Sequence, residues 1–129
     1  MKKTLLALGL TLIATAGIAQ DIRGDWRTAP DDNGNTGIIR VSVCDGAYCG
    51  TLVQSFDASG NTMETENNGR QIIWATKPTG DGAELRGKIY APDRDSTYNS
   101  RLTLKGDTLE VCGRLLGITR CGGDWTRVN

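Results

Sequence analysis

The chain has no histidine. That absence removes Ser-His-Asp and Cys-His catalytic groups, histidine metal sites, the His-Glu-x-x-His helix and any histidine pH switch. It has no net charge either. Fifteen basic side chains face 15 acidic ones in 129 residues, whereas a general nucleic-acid binder is visibly basic. Proline is scarce, with three residues, and no window beyond the N-terminus carries a convincing helical period. Also missing are Gly-x-Ser-x-Gly, a phosphate-binding P-loop, Gly-x-Gly-x-x-Gly after a strand and Cys-x-x-Cys. The length suits one domain and is short for two.

The N-terminus is the exception to this polar, broken pattern. Met1-Lys2-Lys3 is a basic start, Leu5 to Ala16 is a 12-residue apolar run, and Gly17-Ile18-Ala19 places small residues at the −3 and −1 positions before Gln20. Ala14-Thr15-Ala16 offers a second cleavage site. The pattern is that of a secretory signal peptide over residues 1–19, leaving a single domain over 20–129. The run is shorter than the ~20 residues that span a bilayer. No cysteine follows the cleavage site to carry a lipid anchor. Losing Lys2 and Lys3 leaves 13 basic against 15 acidic groups, so the remaining domain is slightly acidic.

Four cysteines, Cys44, Cys49, Cys112 and Cys121, all fall in the part expected to be exported. An even count in a small secreted domain reads as disulfides. Three pairings exist. In the local one, Cys44–Cys49 and Cys112–Cys121 each close a turn or hairpin. A zinc site is the competing reading, but a Cys-x8-Cys spacing fits no common knuckle.

Between frequent turn signals lie short runs rich in β-branched and aromatic residues. These are Ile22–Thr28, Gly37–Cys44, Tyr48–Phe56, Gln71–Ala75, Glu84–Tyr90, Thr97–Lys105, Thr108–Arg114 and Asp124–Val128. Ile39, Val41 and Val43 alternate with polar residues, and Leu102 and Leu104 share a face. Asp45-Gly46 and Gly106-Asp107 are hairpin turns. Asn61–Asn68, short and polar, is the one helix candidate. About eight half-polar strands in antiparallel order predict an all-β sandwich or closed barrel, closure having the merit of removing sheet edges.

Several motifs stand in a characteristic order. They are Gly24-Asp25-Trp26, Ile39 to Gly50 with its two cysteines, Gly87-Lys88-Ile89-Tyr90-Ala91-Pro92, Leu109-Glu110-Val111-Cys112-Gly113 and Trp125-Thr126-Arg127. Together they resemble the bacterial exported family known as domain of unknown function 2147, over essentially the whole chain after the leader. The resemblance implies a lipocalin-like (calycin-like) antiparallel up-and-down β-barrel of about eight strands in the periplasm of a Gram-negative bacterium. It implies no activity. Where the family has Asn-Gly after Pro-Asp, this chain has Asp93-Arg94-Asp95-Ser96, and the pair Cys112 and Cys121 looks peculiar to part of the family. The Gly-x-Trp start also resembles that of lipocalins, in which the tryptophan closes the barrel floor under a late-strand arginine. Here that structural pair is Trp26 and Arg127.

The remaining candidates weigh toward structure rather than chemistry. Asp31-Asp32-Asn33-Gly34-Asn35 invites a calcium reading, but the sixth and twelfth positions of an EF-hand loop would be Thr36 and Ser42, so a solvated loop is expected. Asp93 and Asp95 read as turn residues. Arg86, Lys88, Arg94 and Arg101 read as the wet side of a sheet. Trp74, Tyr90 and Tyr98 are the candidates for lining a cavity mouth. The resulting expectation is a non-enzymatic exported module for a small, partly apolar molecule. It needs no metal or cofactor, binds no nucleic acid and does not insert stably into a membrane. The alternative is an envelope protein-interaction or inhibitor module, which would present an ordered, exposed segment to its partner.

Overall fold

The expected strands do form, and each pairs with its sequence neighbour. The computed structural model describes residues 21–80 and 82–128; the expected leader lies outside the described residues. The strands are β1 (Gly24–Arg27), β2 (Thr36–Cys44), β3 (Ala47–Phe56), β4 (Thr62–Met63), β5 (Gln71–Thr79), β6 (Glu84–Ala91), β7 (Ser96–Lys105), β8 (Thr108–Leu115) and β9 (Ile118–Arg127). All pairings are antiparallel. β9 returns to β1 through Trp26↔Arg127 and Arg27↔Thr126, and this closes the ring. Eight strands therefore make a closed up-and-down barrel, and the two-residue β4 only extends the sheet beside the end of β3. No helix occurs among the described residues, and Asn61–Asn68 forms β4 and a turn instead.

Period-two alternation turns one side of each strand inward. Leu102 is fully buried and sits between Leu85 on β6 and Val111 on β8. Ile39 and Ile73 meet across Gly50, where a Cβ would lie 3.0 Å from Ile39 Cγ2 and 3.3 Å from Ile73 Cβ. Trp26, Leu109 and Trp125 extend this core toward the end of the barrel where β1 begins.

Two strands are longer than their sequence patterns suggest. β5 continues through Pro78 because a bulge breaks its alternation: Trp74 pairs with Lys88, and the next pair is Lys77↔Arg86. Ala75 takes a left-handed φ of +52° there, and the fully buried Thr76 packs onto Gly87. Beyond Thr76 the β3 pairing has ended, so Pro78 sits where β5 has a partner on one side only. β9 begins at Ile118 rather than near Asp124, and its first seven residues are all exposed. With no buried face there is no alternation to read.

Both cysteine pairs are local. Cys44 and Cys49 are bonded across the β2–β3 turn, with Cα atoms 6.1 Å apart. Cys112 and Cys121 are directly opposite in the β8–β9 register, with Cα atoms 3.9 Å apart. The pairs occupy different strands, and no group of three potential metal ligands forms among the described residues.

Candidate functional site

The two ends of the barrel differ. At one end Trp26 is fully buried and donates its indole Nε1–H to the Ile22 carbonyl at 2.8 Å. The Arg127 guanidinium lies over the indole at 4.4 Å from the ring centroid, and donates to the carbonyls of Arg23 (2.9 Å) and Asp21 (2.7 Å). The arginine thus ties the N-terminal segment across the barrel floor. Nearby, Asp21 is held below the ordinary carboxylate range, chiefly by its hydrogen bond from Arg23, and Asp25 by its bond from Arg40.

The other end is open. A cavity of about 530 Å³ occupies the upper half of the barrel, beneath the β1–β2 loop, the β3–β5 segment and the β6–β7 turn. Its deep wall is apolar, from Ile39, Leu52, Ile89, Val111 and Trp125. Its rim is polar, with Asn35, Asn67, Arg94 and Arg120 among the lining residues. An ion pair of 3.6 Å between Arg94 and Asp32 crosses part of the mouth, joining the β6–β7 turn to the β1–β2 loop.

The rim loops are held by their own carboxylates. Asp31 Oδ1 accepts from the backbone N–H groups of Asn33 (2.8 Å) and Asn35 (3.0 Å). Asp57 Oδ1 accepts in the same way from Ser59 and Asn61, both at 2.9 Å. The two segments share the pattern Asp-x-x-Gly-Asn, with left-handed glycines at Gly34 (φ +82°) and Gly60 (φ +88°). They touch each other, since a Cβ on Gly34 would lie 2.9 Å from that of Ala58. Asp31 is therefore a turn-forming group, as its sequence setting suggests.

The tyrosines expected at a cavity mouth, Tyr90 and Tyr98, are in its wall. Tyr90 is nearly buried, donates to Asp95 at 2.6 Å, and carries the Arg70 guanidinium at 3.6 Å over its ring. The bond to Asp95 and burial both raise its phenol above the usual value. Tyr98 packs over Gly113, where a Cβ would come within 2.8 Å of the tyrosine Cβ. Trp74 is placed apart from them: half-buried against the core and paired with Lys88, it is not in the cavity wall. Of the four cations read as a wet face, Arg86 pairs with Glu84 at 2.7 Å and Lys88 donates to Asn99 at 2.5 Å. Arg101 lies against Cys112, and Arg94 is on the rim.

Sequence reasoning missed the contribution of the polar segment after β3. Met63, Thr65 and Asn67 line the cavity, and Asn68 holds the segment by accepting from Ser55 at 2.6 Å and donating to the Met63 carbonyl at 3.1 Å. The repeated Asp-x-x-Gly-Asn was the available signal that both segments are built turns. It missed Ser100 as well. This inward residue is 3% exposed, one inward position below Tyr98, and its hydroxyl has no hydrogen-bond partner among the described residues.

Residues 24–127 match a family described as an uncharacterized protein conserved in bacteria, DUF2147. No curated protein matches the chain. Among solved structures, the chain is similar to the protein HP1028 of Helicobacter pylori, which is described as belonging to the lipocalin family. The two share 14% identity over 84% of each chain, with a TM-score of 0.65. At that identity the likeness speaks for the fold alone, a closed antiparallel barrel.

Proposed function

The chain belongs to the DUF2147 family of uncharacterised bacterial proteins, and we propose that it acts as an exported, non-enzymatic barrel that binds one small molecule with an apolar body and a polar head. The observation that carries this reading is the cavity. Its volume of about 530 Å³ lies within the ~300–1,000 Å³ of small-molecule sites. An apolar wall below a polar rim suits a ligand that enters body first. Of the carboxylates that line the cavity, Asp31 is engaged in closing its loop and Asp32 in the ion pair with Arg94. Export, and residence in the periplasm, rest on the leader pattern of residues 1–19 and on two disulfides, which fit an oxidising compartment.

Native mass spectrometry of protein recovered from its own envelope tests the reading, together with titration of the emptied protein by a hydrophobic fluorophore. A retained small molecule, or saturable fluorophore binding abolished by Val111→Trp, is the expected result. A protein that neither retains nor takes up any small molecule refutes it.

A further inference from the structure

The β8–β9 hairpin breaks two rules of a soluble surface in one place. Its tip exposes Leu115, Leu116 and Ile118, at 41%, 92% and 62% of their areas. Leu116 also adopts a left-handed φ of +53°, next to Gly117 at +81°. A leucine is disfavoured in that conformation, and nothing in the fold uses its side chain. The tip is ordered nonetheless. Leu115 and Ile118 are paired, and the Cys112–Cys121 disulfide staples the hairpin at its base.

The tip projects beyond its neighbours. β7 pairs with β8 no further than Asn99↔Arg114, and β1 pairs with β9 only at Arg127 and Thr126. The hairpin therefore leaves the barrel as a two-stranded ribbon at the open end, and its inner side at Arg120, Cys121 and Gly122 forms part of the cavity wall. Arg114 and Arg120 flank the tip, one on each strand. The register Arg114↔Thr119, Gly113↔Arg120 sets them within one residue of the same height. Both side chains are exposed and have no ion pair or hydrogen bond among the described residues. The segment from Gly113 to Gly123 contains no acidic residue.

We propose that this tip docks the barrel reversibly on an anionic phospholipid surface, with the three aliphatic side chains in the boundary between headgroups and acyl chains and the two arginines on lipid phosphates. The dimensions agree. At about 3.3 Å per residue, Leu116 reaches roughly 7 Å past Arg114, the depth at which interfacial segments bury their apolar groups. The apolar tip is aliphatic, without the tyrosine or tryptophan anchors that mark a protein interface. Its charge complements phosphate. Docking in this pose also brings the cavity mouth to the headgroups, where amphiphiles are concentrated.

The test uses the chain from Gln20 onward, which contains every described strand and all their pairings, with its disulfides formed. Flotation with phosphatidylglycerol–phosphatidylcholine vesicles is compared with pure phosphatidylcholine. The expected result is binding to the anionic vesicles that weakens at high salt. Arg114→Gln and Arg120→Gln should each weaken it about fivefold. Leu116→Asn should weaken it about tenfold or more, while leaving the melting temperature unchanged or raised, because asparagine tolerates the left-handed conformation. That variant separates lost docking from lost folding, and neither readout requires the cavity to hold a ligand. Absence of binding to anionic vesicles overturns the proposal, as does a Leu116→Asn variant that floats like the parent. Capture of one envelope protein through Leu116 without vesicle binding would overturn it in favour of a protein pocket.

Discussion

Replacing Arg127 by alanine should destabilise the barrel by about 3 kcal/mol. The figure follows from what the side chain touches. The contact over Trp26 at 4.4 Å is largely sheltered, since Trp26 is fully buried, and is worth about 1 kcal/mol. The two hydrogen bonds to the carbonyls of Asp21 and Arg23 come from a charged donor, but water can replace it at the barrel end. About 1 kcal/mol each is therefore appropriate, rather than the larger value for fully buried charged bonds. The 3.4 Å ion pair with Asp107 adds little, because that carboxylate is 89% exposed. For a domain of this size the sum corresponds to a melting-temperature drop of roughly 10–20 °C. Urea unfolding followed by tryptophan fluorescence measures it, with an unchanged slope showing that only stability has moved. Arg127→Lys keeps the charge but not the fork, and should recover no more than about half. The sharper check is a cycle with Trp26→Phe, in which the coupling should be about 1 kcal/mol. A loss below about 0.5 kcal/mol in Arg127→Ala would refute the reasoning, and would mean that burial of Trp26 alone closes the floor.

Other outcomes follow from the same geometry. Gly87→Ala should be severely destabilising or prevent folding, because its Cβ would fall 2.6 Å from Thr76 Cα and 2.7 Å from the Ala75 carbonyl, both backbone atoms of the β5 bulge; soluble expression and thermal melting report it. Removing the Cys112–Cys121 bridge by paired alanine substitution should cost about 2–3 kcal/mol by loop entropy, read in urea, and should raise hydrogen exchange across Arg114–Arg120. Stability should fall in acid through Asp21 and Asp25. Their carboxyls are held below 3.8, so their contribution is complete above that pH and is lost as pH falls through the lowered folded values. Asp25→Asn should therefore lower stability at neutral pH and flatten the acid limb of a pH–stability profile. Tyr90 should ionise later than a free phenol in an ultraviolet titration, and Asp95→Asn should move it back toward the ordinary value, since the bond to Asp95 is the largest cause of the rise.

What the sequence made legible, and what it did not, divides along one physical line. Where a strand has one buried side, as at Ile39–Val41 or Leu102–Leu104, period two is written in the residues and the strand is readable, and so is the closed, up-and-down order. Where the backbone leaves that period, the reading fails. The Ala75–Thr76 bulge hid the second half of β5, because it shifts which residues face inward. The exposed run from Ile118 to Asp124 hid most of β9, since none of it faces the core. The site suffers in the same way. Tyr90 and Tyr98 could be picked for chemistry, and both reach the cavity, whereas Trp74 lies one residue from the inward Ile73 and belongs to the other face. The rim was illegible for a different reason: it is assembled from two loops far apart in the chain, each closed by its own aspartate, and only their shared Asp-x-x-Gly-Asn betrays that they are alike. The features that resist the reading, an orphaned hydroxyl inside and a strained leucine outside, are unfavourable for folding alone. The leucine lies at the open end of the barrel, on the tip of the β8–β9 hairpin, where a docking surface would relieve it.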